Sequence, residues 1–197
     1  LHIGHQKLFK IARKYKLRKK LKLGVITFDP IPKMFFNPKF KNYRISNFNQ
    51  KIEILKSYNI DFIINKKFDK KFSKTKYTNF IKNVLYNKIK PRYIFVSDNF
   101  RFGNKREGDV SSLKQFEKIY GYKIINPSPL KKNLKIVSST LIRKYLSEGK
   151  IKVANKYLDR NWSIEGLVKI GRRMGRQIGF PTCNIDIGDY IISKPGV

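Results

Sequence analysis

The chain has 197 residues, 41% of them hydrophobic and 14% aromatic, enough to bury a real core, and by length it is one domain or one and a part. Its formal charge is +32, from 45 Lys and Arg against 13 Asp and Glu, a balance that ordinarily points to nucleic acid or an anionic membrane surface. Composition blunts that pointer: Lys is spread among Asn, Ile, Tyr and Phe instead of forming a stripe, the single Cys183 excludes an internal disulfide, and no apolar run approaches the roughly 20 residues of a membrane span.

No signal-peptide pattern is visible, so the expected location is cytoplasmic, with no membrane and no specific nucleic acid among the partners. Because the chain begins without Met and stops at Pro195-Gly196-Val197, both ends of the natural protein are expected to lie outside it.

Leu1-His2-Ile3-Gly4-His5-Gln6 runs at once into helical spacing, with Leu8, Ile11, Ala12 and Tyr15 on one face. A helix N-terminus offers unpaired N–H groups and partial positive charge, Gly4 lets backbone come close, and His2 and His5 can each donate to phosphoryl oxygens. The hexapeptide therefore suits phosphate. Two histidines three positions apart also suit a surface pair or half a metal site, and the motif alone does not choose.

Leu21 to Phe28 reads as a buried strand, broken by Asp29-Pro30-Ile31-Pro32. A long aromatic, Asn-rich loop is predicted from Lys33 to Tyr43, a length that marks function or mobility, with Ser46 capping the next helix. Phe48, Ile52 and Leu55 form that helix's face. Asp61 to Asn65 reads as a short strand, Tyr77 to Leu85 as a helix stopped by Pro91, and Tyr93 to Val96 as the next strand. Just past it, Ser97-Asp98-Asn99-Phe100-Arg101-Phe102-Gly103 sets two aromatics around an arginine. That suits an aromatic ring carrying a phosphate, and equally suits two core residues at strand spacing. A helix from Ser111 to Tyr120 closed by Gly121, then strands at Tyr122 to Asn126 and Leu134 to Val137, continue the alternation. Such alternation predicts an α/β domain with a parallel sheet and right-handed crossovers, whose ligands bind at the strands' C-terminal ends.

Ser138-Ser139-Thr140-Leu141-Ile142-Arg143 puts three hydroxyl residues where a strand gives way to a helix, with an arginine one turn inside. Ser139 or Thr140 can cap the helix and bind phosphate oxygens, while the fork of Arg143 matches them; a plain N-cap explains the hydroxyls too. Gly149 ends this helix, and Ile151 to Leu158 forms one more. From Trp162 the pattern turns to a strand at Trp162 to Ile170, then a glycine- and arginine-dense run from Gly171 to Asn184. This predicts a second, β-type domain from near Asn161, with its own core and separable by a cut near Asp159. The glycines suit tight turns, and Gly with Arg followed by Pro181-Thr182-Cys183-Asn184 also suits a nucleotide-binding flap and metal site.

In this order the pieces resemble the bacterial bifunctional riboflavin kinase/FAD synthetase (FMN adenylyltransferase) family from the first residue to the last. The resemblance implies a Rossmann-like, parallel-sheet nucleotidyltransferase domain of the His-x-Gly-His superfamily over residues 1–158, then the start of a small antiparallel β-barrel over 162–197. It implies that His2, His5 and Arg143 are catalytic and that Gly4, Ser138, Ser139 and Thr140 bind ATP phosphates. Phe28, Asp29, Pro30, Asn99, Phe100, Arg101 and Phe102 would face the flavin. On the kinase side it implies nucleotide binding by Gly171, Arg172, Gly175 and Gly179, with Thr182 and Asn184 at Mg²⁺. The substrates implied are ATP, FMN and riboflavin; oligomeric state is open.

Departures stand beside the matches. Ser97-Asp98-Asn99 replaces the family's usual Gly-x-Asp, and Asp159 and Asn161 stand where Gly and Pro are usual. The family's first strand and the kinase's catalytic glutamate are expected to lie outside this chain, which by itself should not phosphorylate riboflavin. Other readings are a cytidylyltransferase or phosphopantetheine adenylyltransferase, against which the Pro-Thr-x-Asn segment counts, and a non-catalytic polyanion-binding protein or decayed relic.

Overall fold

The computed structural model describes residues 1–132, 134–171, 177 and 179–195. The leading helix α1 (Ile3–Lys19) starts at His2 and ends at Lys20, whose φ of 50° takes the chain out in a left-handed turn. Lys16, Arg18 and Lys19 fill its last turn, where cations complement the helix dipole. Strand β1 (Gly24–Asp29) follows, and then α2 (Pro32–Phe36) with Pro32 at its first position, inside the stretch expected to be loop. The next helix, α3 (Phe48–Lys56), is capped by Asn47 and not by the expected Ser46. Asn47 Oδ1 accepts from the Gln50 N–H at 2.7 Å, and Gln50 Oε1 accepts from the Asn47 N–H at 3.1 Å.

Strand β2 (Phe62–Lys67) runs parallel to β1, with Val25 opposite Ile63 and Asp29 opposite Lys67. Short α4 (Lys70–Ser73) and α5 (Tyr77–Asn79) lead into a wider-turned helix over Phe80–Ile89, which buries Phe80, Ile81 and Leu85. Strand β3 (Tyr93–Phe95) pairs in parallel with β4 (Lys123–Ile125). Between them the expected single helix is two, α6 (Val110–Gln115) and α7 (Glu117–Tyr120), which break at Phe116. A small hairpin, β5 (Lys131–Lys132) and β6 (Lys135–Ile136), precedes α8 (Ser139–Ser147) and α9 (Ile151–Leu158).

The expected continuous parallel sheet is instead two parallel pairs, β1–β2 and β3–β4, not hydrogen-bonded to each other among the described residues. Side chains join them. Helix α1 sets Tyr15 against Tyr93 and Phe95 of β3 at 4.9 and 5.3 Å and Phe9 against Tyr58, in the turn before β2, at 5.3 Å, while Ile26 of β1 packs on the cluster that holds Val96 and Ile124. Apolar patterning reports burial of a strand, not its neighbour in a ladder, so the sequence could not separate these arrangements.

After α9 the described strands are β7 (Val168–Lys169) and β8 (Asn184–Ile185), one antiparallel ladder of the expected sense that does not by itself close a barrel. Among the described residues the stretch after Asp159 shares a cluster with the α/β part. Ile191, 8% exposed, packs into the cluster of Ile45, Val137, Ile142 and Leu146, while the Trp162 indole N–H donates to the Ile45 carbonyl at 2.9 Å.

Candidate active site

Two imidazoles close the start of α1. The Gly4 N–H donates to His2 Nδ1 at 3.2 Å and the His2 N–H donates to His5 Nδ1 at 3.3 Å, a reciprocal cap built from two histidines. Their rings lie 3.9 Å apart between centroids. Burial lowers the pKa of His2 to about 4, with the charges of Arg143 and Arg160 adding to the effect. His5 falls to about 3, again by burial first, with His2 contributing. Both rings are therefore neutral near pH 7. Since each Nδ1 accepts, the single proton of each ring sits on Nε2, which remains available as a donor.

Gly4 has a direct steric role here. A Cβ on it would stand 3.0 Å from the His2 ring and 3.6 Å from the Val137 carbonyl oxygen. The second contact also brings the two phosphate motifs together, because Val137 immediately precedes Ser138. Ser138, not Ser139 or Thr140, caps α8: its Oγ accepts from the Leu141 N–H at 3.2 Å. Only the residue with extended backbone, φ −144°, can aim its side chain back at the first turn. Among the described residues the N–H groups of Ser139 and Thr140 have no acceptor.

Arg143 extends from α8 to Tyr43. Its Nε donates to the Tyr43 carbonyl at 2.8 Å, and its guanidinium carbon lies 3.6 Å over the centre of the Tyr43 ring. Burial lowers its pKa, and guanidinium stays charged regardless. Arg160 donates to the Leu1 carbonyl at 2.8 Å and to Ser46 Oγ at 3.2 Å, while Lys51 donates to Thr27 Oγ1 at 2.8 Å. Burial lowers the pKa of both cations. None of Arg143, Arg160 and Lys51 forms an ion pair with a carboxylate among the described residues. Asp29, at the end of β1, is bonded to Arg44 at 2.7 Å. Surplus half-buried positive charge beside neutral donors is a setting for a polyanion.

The residues expected to face a flavin differ in exposure. Phe102 is 9% exposed and belongs to the core with Phe80 and Leu113; Phe100 stacks on it at 5.5 Å. That burial matches the core alternative for Phe102, whose ring is covered by its neighbours. Arg101 is exposed and paired with Asp109 at 2.8 Å, so its charge is already answered. Asn99 is exposed, its Oδ1 accepting from Ser97 Oγ at 2.9 Å. Phe28 packs against Phe72 and Phe68 at 5.7 and 6.0 Å, and Pro30 follows it at the mouth of β1. Gly171, Gly179, Thr182 and Asn184 are exposed, with Asn184 on β8 beside Gly171; Arg172 and Gly175 lie outside the described residues.

A family model described as FAD synthetase matches residues 1–141, and one described as riboflavin kinase matches 158–197. The chain belongs to the FAD synthetase family. It is 41% identical over 200 residues to the bifunctional riboflavin kinase/FMN adenylyltransferase of Buchnera aphidicola subsp. Schizaphis graminum. Identity to the proteins of that name from Haemophilus influenzae and Escherichia coli K12 is 30% and 28%. All of the chain is covered in each case, and it spans 63–64% of these relatives' length. A crystal structure of a macrolide-efflux protein from Streptococcus pneumoniae superposes with a TM-score of 0.82 at 26% identity, over 99% of this chain and 64% of that one. Among the described residues no helix is long and apolar enough to cross a membrane.

Tyr43, Arg44, Lys51 and Arg160, which sequence reasoning did not single out, lie beside the expected site residues of this FAD synthetase family member. The length of the loop ending at Tyr43 was a signal; a lone Lys on α3 and a lone Arg after α9 carry none. For magnesium the donor set is sparse. Among the described residues no group of three His, Cys, Asp or Glu side chains converges.

Proposed function

We propose that the α/β part transfers AMP from ATP to the phosphate of FMN, giving FAD and pyrophosphate, in a cytoplasmic enzyme. The observation that carries this is the meeting of the His2/His5 cap with the Ser138–Arg143 helix start at one place rich in unpaired cationic charge. An FMN phosphate oxygen forms the new bond to the α-phosphorus of ATP as the bond to the bridging oxygen breaks, and the electron pair leaves on pyrophosphate. No covalent enzyme intermediate is required, so the protein's work is positioning and charge stabilisation.

In this reading the Nε2–H groups of His2 and His5 donate to the reacting phosphates as neutral imidazoles. Ser139, Thr140 and the free nitrogens of Arg143 bind the β- and γ-phosphates. Magnesium, bound with ATP, would neutralise part of the phosphate charge. In the whole protein the second stretch would phosphorylate riboflavin to FMN, with Gly171, Arg172, Gly175 and Gly179 at the nucleotide and Thr182 and Asn184 at Mg²⁺. The matched riboflavin-kinase model and the names of the relatives support this half.

The test is to incubate the intact protein with FMN and MgATP and follow FAD and pyrophosphate. Equal amounts of the two products are expected. No FMN-dependent pyrophosphate would overturn the proposal.

A further inference from the structure

We propose that Asp189, Tyr190 and Ile191, in the stretch matched to riboflavin kinase, are positioning residues for the adenylyl-transfer site, acting through Tyr43, Arg44 and Arg143. The inference rests on the reading of that site given above.

Among the described residues Arg143 is oriented by Tyr43, which supplies both the carbonyl for its Nε and the ring beneath its guanidinium. Tyr43 lies between α2 and α3, in a segment with no ladder from its own α/β unit. What holds it is the far end of the chain. The Tyr43 and Arg44 N–H groups both donate to the Asp189 carbonyl, at 2.9 and 2.8 Å, and the Ile191 N–H donates to the Arg44 carbonyl at 2.8 Å. The side-chain amide of Asn42 clamps the same strap, donating to the Gly188 and Tyr190 carbonyls at 3.1 and 3.0 Å.

Side chains repeat the link. The Arg44 guanidinium spans Asp29 at 2.7 Å and Asp189 at 3.5 Å, tying the end of β1 to the strap. Tyr190, 3% exposed, donates its hydroxyl to Gln50 Oε1 at 2.7 Å, and Gln50 closes the cap of the helix that carries Lys51. Ile191 packs in the cluster of Ile142, the neighbour of Arg143. A loop without regular partners drifts easily, and a reacting group displaced by about 1 Å can lose roughly 100-fold in rate. The strap therefore fixes where the Arg143 fork points.

The double variant Asn42→Ala/Tyr190→Phe loosens the strap while keeping the buried ring. In the intact protein it is expected to weaken ATP binding and raise the KM for ATP about tenfold. Circular dichroism should be unchanged. In an Arg143→Ala background the same pair of changes should alter ATP affinity little, because the residue it positions is gone. An equal loss of ATP affinity in both backgrounds would overturn the proposal, since a merely structural strap predicts additivity. So would a parent that makes FAD and a double variant that matches it in KM. A parent that neither binds ATP nor makes FAD overturns the underlying reading instead, and this inference with it.

Discussion

His2 and His5 are buried as neutral rings, and this makes folding pH-dependent in a direction the pKa values set. Their folded pKa values, about 4 and about 3, lie below the ordinary 6.5, so the stability tied to neutral imidazole is complete above pH 6.5 and lost as pH falls toward those values. Each histidine should remove about 1.4 kcal/mol per pH unit over that window. Denaturant unfolding of His2→Gln against the parent from neutral to acid pH checks this: the variant should show the shallower decline. Arg143→Lys keeps the charge but neither the Nε bond to Tyr43 nor the flat stack on its ring. A loss on the order of 100-fold in FAD formation is expected, read from kcat/KM for ATP. Gly4→Ala pushes a methyl group against the His2 ring and should lower activity while leaving the melting temperature nearly unchanged.

At the scale of an element, α8 is where capping and phosphate binding divide. Ser138 satisfies the Leu141 N–H, leaving the next two residues' N–H groups and hydroxyls for a ligand. Ser138→Ala should therefore destabilise the protein by about 1 kcal/mol in thermal or denaturant unfolding. Thr140→Ala, at an exposed position outside the cap, should leave stability alone and weaken ATP binding. Equal destabilisation by the two would show that the division is wrong. Helix α1 makes a related point: it packs on β3 through Tyr15, so changes there loosen β3 and the His-bearing helix together.

Over the whole molecule, the strap and the charge decide the behaviour. A piece ending at Asp159 keeps both phosphate motifs but uncovers Ile45 and Ile142, which Trp162 and Ile191 cover. Such a piece is expected to melt earlier and to lose most FAD formation, measured beside the intact protein; full activity and an unchanged melting temperature would show that the shared core is dispensable. The net charge of +32 is carried largely by exposed Lys, whose attraction for bulk DNA is screened once the Debye length falls to about 8 Å. DNA binding should collapse between low and physiological ionic strength while ATP affinity changes much less, because Arg143 and Lys51 are partly shielded from solvent.

What the sequence determined by itself is local. A helix opening at His2-x-Gly4-His5, another opening within Ser138 to Arg143 and the main alternation of helices and strands follow from spacing over a few positions; that His2 and His5 cap each other, and that Ser138 is the cap in place of Ser139 or Thr140, needed the backbone geometry. Tertiary structure decided the rest. Arg143 meets Tyr43 across 100 positions and Arg160 meets Leu1 across 159, and no periodicity encodes such partners. The same holds for Phe102, whose alternation suits a binding surface or a core equally until its neighbours close over it. It holds for Asp189 to Ile191 too. Those residues read as part of a later β unit, yet their backbone groups find partners in the loop beside Arg143, because an unpaired loop and an unpaired strand each leave donors and acceptors that only the other can satisfy.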